Sequence, residues 1–269
     1  MSSNLELAHD LYEAFARADP GRLLELLHPE FVGHVAEGMP GGVGGTHAGP
    51  TPMLTDVWAP IARRFGVRPV PDRYYTSDDD GVIVTGTYTG EPPGADHPLS
   101  AAFAHVLAFR DGRIAELRQI TDTQRWGEAA AAADVAVVRR MFEAVERRDA
   151  DALLSAYADD IVITEASSLP YGGVYRGHVG AVDHGMAYVA TWDGIQTTDD
   201  RKLQPEILNA GDRVIVLWRQ KATAADGRRL DAPVVDLIEL RAGRVASLQM
   251  FHLDTAAVLE FLDAAPVAA

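Results

Sequence analysis

The strongest constraint on this 269-residue chain is that it repeats itself. Shifted by 131 positions, "EGMPGGVGGTHAG" at 37–49 falls on "SLPYGGVYRGHVG" at 168–180, so that Gly41, Gly42, Val43, His47 and Gly49 meet Gly172, Gly173, Val174, His178 and Gly180. Shifted by 130, "LYEAFARADPGRLLELLHPEFV" at 11–32 lies on "MFEAVERRDADALLSAYADDIV" at 141–162. Near the end "VLAFRDGRIAELRQI" at 106–120 lies on "LIELRAGRVASLQMF" at 237–251. A repeat this long is a domain rather than a solenoid unit, which gives two similar domains, 1–130 and 131–269, each of ordinary size.

Composition narrows the class. With 47% apolar and 23% charged residues the chain has material for two cores. A formal charge of −15 without an offsetting Lys/Arg cluster repels phosphate backbones and anionic lipid, so neither nucleic acid nor a membrane surface is an expected partner. The first ten residues lack a basic n-region and an apolar h-region, and no stretch approaches 18 consecutive apolar residues. A soluble, cytoplasmic protein is expected. The absence of cysteine removes disulfides, thiolate metal sites and cysteine nucleophiles.

Each half opens with an amphipathic helical stripe: Leu7, Leu11, Ala14 and Phe15, then Val138, Met141, Phe142 and Val145. Asp19 before Pro20, and Asp149, stand where a second helix needs its N-cap. A short strand follows (31–36 and 161–166), then the glycine loop, then a third helical stretch (50–65 and 179–191). Strands separated by turns complete each half. Helices first and an antiparallel meander after them make the fold class α+β, with helices on one face of a curved sheet. The alanine run 129–133 continues a helix between the halves, and Asp122 and Asp254 are candidate N-caps.

If Asp111-Gly112 and Ala242-Gly243 are two-residue hairpin turns, His105 pairs with Arg118 and Asp236 with Gln249, each titratable group set into an apolar strand face. A bulge would swing His252 and Asp254 onto that face. A buried carboxyl either stays protonated or finds a donor, and either outcome prepares chemistry.

These elements resemble the ketosteroid isomerase fold of the NTF2-like and SnoaL-like superfamily, whose domains are cone-shaped. "RRDADALLSAYADDIVITEA" (147–166) is similar to the part of the isomerase that carries its base, and "APVVDLIELRAGRVASLQM" (232–250) to the strand that carries its oxyanion-hole acid. The resemblance implies Glu165 as base and a neutral Asp236 as oxyanion donor. The tyrosine of the isomerase's first helix falls on Met141, leaving Tyr157, Tyr171 or Tyr175 as substitutes. In the first half the base position is Val35, with His34 and Glu37 as neighbours; the acid position is His105 and the tyrosine position Leu11. Catalytic candidates are therefore Glu165, Asp236 and His105. Candidates for the pocket are His34, Glu37, Arg118, Tyr157, Tyr171, Tyr175, Trp218, Gln249 and His252.

His47, His178, His184 and His252 are scattered, without the paired spacing of a metal site, so no metal or other cofactor is expected. The expected activity is acid–base isomerisation or polyketide-type cyclisation of an apolar carbonyl-containing small molecule. Alternatives are epoxide hydrolysis or epoxide-opening cyclisation, and non-catalytic binding of a small molecule. Domains of this fold commonly dimerise, so the halves are expected to pair as an intramolecular pseudo-dimer, with a homodimer as a further possibility.

Overall fold

The computed structural model describes residues 3–78 and 80–264. It divides into two compact units that meet between Ala133 and Asp134, and each is an α+β half with one six-stranded sheet. The first unit runs α1 (Asn4–Arg17), α2 (Pro20–Leu26), β1 (Leu27–Val35), β2 (Gly45–Ala48), α3 (50–65), β3 (Val67–Thr76), β4 (Val82–Gly90), β5 (Leu99–Arg110) and β6 (Arg113–Thr121). The 25-residue α4 (Thr123–Arg147) contains the boundary. Then come α5 (Ala150–Ala156), β7 (Tyr157–Glu165), β8 (Gly173–Arg176), α6 (Gly177–Trp192), β9 (Glu206–Asn209), β10 (Val214–Thr223), β11 (Arg229–Arg241), β12 (Arg244–His252) and α7 (Thr255–Ala264). No helix among the described residues is long and apolar enough to cross a membrane.

Local chemistry sets the helix ends. Ser3 and Glu6 form a reciprocal capping box at the start of α1. Asp19 accepts from Arg22 N ahead of Pro20, and Asp149 from Ala152 N, so both second helices carry the expected caps. Asp122 and Asp254 likewise accept from Arg125 N and Ala257 N.

The sheets have the orders β2-β1-β6-β5-β4-β3 and β8-β7-β12-β11-β10-β9. All neighbours are antiparallel except β1 with β6 and β7 with β12, which run parallel. The two hairpin turns have positive φ at both central residues, Asp111 and Gly112, then Ala242 and Gly243, which matches the twist of the flanking strands. Pairing begins in the expected register at Phe109 with Ile114 and Leu240 with Val245. One rung later Ala115 and Ala246 each drop out as a bulge. Every subsequent pair slips by one residue and changes face. His105 therefore pairs with Gln119, not Arg118, and Asp236 with Met250, not Gln249.

The glycine phrase is also resolved differently from its alignment. In the first unit Val35 pairs with Gly45, and in the second Glu165 pairs with Gly173. The true counterparts are thus Gly44-Gly45 and Gly172-Gly173, while Gly41 and Gly42 sit in a longer loop present only in the first half. A Cβ on Gly44 would lie 2.6 Å from the Glu37 carbonyl oxygen, and one on Gly172 would lie 1.9 Å from that of Ala166. Backbone approach, not loop mobility, requires glycine here. Gly172→Ala is expected to lower stability by about 2 kcal/mol or more, since backbone must shift to admit the methyl. Denaturant midpoints will measure this, with Gly185→Ala as a control, because a Cβ at Gly185 meets nothing within 4 Å.

The interiors differ in a way that bears on function. The first unit has one continuous core cluster, with Phe31, Phe65, Leu107 and Trp126 fully enclosed. The second has two clusters, and two of its strands pass from one to the other at or beside a polar residue. On β10 Gln220 lies between Trp218 and Ala222, and on β7 Glu165 follows Ile163 and precedes Ala166.

Candidate functional site

Glu165, Asp236, Gln220 and His105 are the buried polar or charged residues among those described, three of them in the second unit. Thr164 pairs with Gln249 and Met250 with Asp236, so Glu165 and Asp236 lie at one level of one sheet face. Two strand spacings, about 10 Å of backbone, separate them.

Glu165 is clamped. Its Oε2 accepts from His184 Nε2 and its Oε1 from His252 Nε2, both at 2.8 Å. Its side chain is 2% exposed, that of His252 1% and that of His184 12%. Burial pushes the carboxyl's pKa upward, but the hydrogen bonds and charge of the two imidazoles more than offset this and hold it below its ordinary value. An ionised carboxylate only accepts, so both histidines carry hydrogen on Nε2. His252 Nδ1 is buried without a partner. The bulge at Ala246 brings His252 to the inner face, opposite Val234.

Asp236 has the opposite surroundings. It is 2% exposed, and its one hydrogen bond is at Oδ2, from Trp218 Nε1 at 3.0 Å; Oδ1 is buried and free. Burial raises its pKa to about 8, the indole N–H working against the rise and the charge of Glu165 adding to it. Because the indole hydrogen occupies Oδ2, the protonated carboxyl would carry its hydrogen on Oδ1. Tyr157 is buried beside this acid, and its hydroxyl pKa is raised by burial and by Asp236.

Of the other sequence candidates, Tyr171 is fully buried with a free hydroxyl, and Tyr175 donates to the Tyr171 carbonyl at 3.0 Å with its ring 5.0 Å from that of His184. Four candidates lie elsewhere. Gln249 and Arg118 are exposed on the outer sheet faces, where the bulges send them, and Arg118 pairs with Glu116. His34 is on the outer face of β1, between Thr46 and Glu116, and Glu37 is exposed in the loop.

His105 lies in the first unit, enclosed in a hydrogen-bonded chain. Tyr12 Oη lies 2.7 Å from its Nδ1 and Tyr88 Oη 2.7 Å from its Nε2. Gln119 donates to Tyr88 at 2.8 Å and accepts from Ala36 N at 3.2 Å. Burial lowers the imidazole pKa to about 3, so it is neutral and both nitrogens are engaged. Phe103, Tyr88 and Trp126 pack around this chain. A groove of about 380 Å³ opens between α1 and β3, and none of Glu165, His184, His252 or Asp236 lines it.

Sequence reasoning missed His184, Tyr188 and Gln220 in the second unit, and Tyr12, Tyr88 and Gln119 in the first. Tyr12 is one residue from the expected tyrosine position at Leu11.

A SnoaL-like domain model matches the chain twice, over residues 8–117 and 138–248. The chain belongs to the SnoaL-like family. Its architecture is two tandem SnoaL-like halves. An uncharacterised protein of Mycobacterium tuberculosis (strain ATCC 25618 / H37Rv) is 32% identical over 133 residues, 48% of this chain and 95% of that protein. An NTF2-like protein of Burkholderia thailandensis E264 is 24% identical and covers 48% of this chain and 98% of its own, with a TM-score of 0.45. One of unknown function from Burkholderia pseudomallei K96243 is 27% identical with the same coverage and a TM-score of 0.44. Each relative corresponds in length to one half of this SnoaL-like chain.

Proposed function

We propose that the second half is an acid–base site that enolises an apolar carbonyl-containing small molecule, as an isomerase or polyketide-type cyclase does, and that the first half is structural. One observation carries the reading: two enclosed carboxyls on one sheet face, one clamped by two histidines and the other holding a free oxygen. Their environments drive them to opposite protonation states, which is what dividing base and acid work requires.

Glu165 acts as base through His252. Both carboxylate oxygens already accept an N–H, so His252 acts in its neutral form, with the unpartnered Nδ1 as the nitrogen that meets the substrate. That nitrogen takes the α-proton, the C–H electron pair becomes the enolate double bond, and the oxygen gains charge. Neutral Asp236 donates from Oδ1 to that oxygen, while Glu165 stabilises the imidazolium. Either proton return at another carbon or attack of the enolate on a second carbonyl completes the reaction.

Deuterium incorporation at the α-carbon of α-tetralone in D₂O, followed by NMR, tests the step without knowledge of the natural substrate. The wild-type protein is expected to accelerate exchange. Glu165→Gln and Asp236→Leu are each expected to reduce the acceleration by about 10²-fold or more. Exchange that is unchanged in both variants would sink the assignment.

A further inference from the structure

Three enclosed donors in the second half have no acceptor and no task in that reaction: Gln220 Nε2, Trp192 Nε1 and Tyr171 Oη. Buried polar groups are satisfied in the great majority of folded proteins, so three orphans in one place call for an absent partner. They do share one place. Tyr171 lies 5.2 Å from Tyr188 and 6.1 Å from Trp192 between ring centroids, and Tyr188 donates to Gln220 Oε1 at 2.7 Å. Gln196 donates to the Lys221 carbonyl and also lies against the Tyr188 hydroxyl, leaving Tyr188's own hydrogen for Gln220 Oε1. The amide orientation follows, and with it a free NH₂. Trp192 N–H is directed toward the Tyr171 hydroxyl but falls outside hydrogen-bond geometry.

The first half provides an internal comparison. Val84 pairs with His105 and Val216 with Asp236, so Tyr88 stands where Gln220 does, four residues along the strand. There Tyr12, His105, Tyr88 and Gln119 satisfy one another within a continuous core. In the second half the corresponding strand positions carry small residues, Ala222, Ala224 and Ala232, in a cluster with Leu169, Val258 and Phe261, and the donors find no partner there.

Gln220 pairs with Ala232, four residues from Asp236, so it is about 13 Å of strand from the acid. Tyr171 bridges the interval, 6.4 Å from His252 between ring centroids. We infer that the second half binds an elongated apolar molecule carrying two oxygen functions, a reacting carbonyl at Asp236 and a second, uncharged carbonyl or hydroxyl oxygen held by Gln220, Trp192 and Tyr171. The charge of Glu165, felt at Tyr171 and Tyr188, disfavours a carboxylate at that end. The inference names the substrate class of the site proposed above and rests on that reading for its Asp236 end only.

Two probes differing at one oxygen test it: 4-acetyl-4′-hydroxybiphenyl and 4-ethyl-4′-hydroxybiphenyl, titrated by calorimetry. The wild-type protein is expected to bind the acetyl compound about tenfold more tightly or better, because it alone carries an oxygen for each end of the site at once, whereas the ethyl compound has one oxygen, which Asp236 takes. Gln220→Met, which removes a donor at nearly constant volume, and Trp192→Phe, which removes the indole N–H with part of the ring, are each expected to shrink that preference while the ethyl compound still binds. Equal binding of the two probes, binding of neither, or a preference that survives both substitutions overturns the second oxygen site. Asp236→Asn separates the two readings. It should weaken both probes alike; a variant that binds both as the wild type does, with the acetyl preference intact, removes the assignment at Asp236 and leaves the distal site standing.

Discussion

Asp236→Asn will make this protein more stable at pH 8, by several kcal/mol, and leave it nearly unchanged at pH 4. The sign follows from linkage. Asp236 has its pKa raised from the ordinary 3.8 to about 8 in the folded chain. Between those values the folded state holds a proton that the unfolded state has released, so stability falls as pH rises through that window. The slope is about 1.4 kcal/mol per pH unit for a fully displaced group, and relaxation of the native site will reduce it. Asparagine keeps the shape and still accepts from Trp218 while removing the titration. Urea unfolding of both proteins at pH 4, 6 and 8 isolates the effect as a difference, because every other carboxylate is common to both. Parallel stability curves across that range would show that Asp236 is ionised and solvated, and the oxyanion donor would go with it. The acid thus destabilises the fold at neutral pH, which is expected of a group retained for chemistry.

How far the sequence carried is best judged at three places. The duplication, the α+β order and the caps Asp19 and Asp149 were legible because they rest on periodicity and on local backbone demand, which repeat in both halves. The hairpin partners were not, although both turns were read correctly. A bulge at Ala115 and another at Ala246 leave no mark that distinguishes these alanines from ladder residues, and one dropped residue moved Arg118 and Gln249 outward and His252 inward. The glycine alignment failed for a related reason. Identity placed Gly41-Gly42 on Gly172-Gly173, whereas close approach of backbone selects Gly44-Gly45. His184 reads in the sequence as one of four scattered histidines without metal-site spacing, and it stands on a helix that periodicity places without orienting. Its one available signal was that Glu165, at the end of an inward-alternating strand, required donors from somewhere.

Glu165→Leu should be the most damaging single change in the second half, lowering stability by about 3–5 kcal/mol at pH 7, whereas Glu165→Gln should cost about 1 kcal/mol. Leucine strands the Nε2 hydrogens of His184 and His252, the latter in a fully enclosed position. Glutamine can accept one of them and, if the other imidazole moves its hydrogen to Nδ1, donate to the second. The pH dependence runs opposite to that of Asp236. The folded pKa of Glu165 is depressed, so its contribution is present above the unfolded value near 4.5 and is lost as pH falls through the folded one. The two effects are also coupled, since the charge of Glu165 helps to raise Asp236. In a Glu165→Gln background the Asp236 titration should therefore move to lower pH. It is read as the pH-dependent stability difference between that variant and the double variant that also carries Asp236→Asn. A titration that stays in place would mean that the two acids do not sense one another. Base and oxyanion donor would then have to be sought in separate sites.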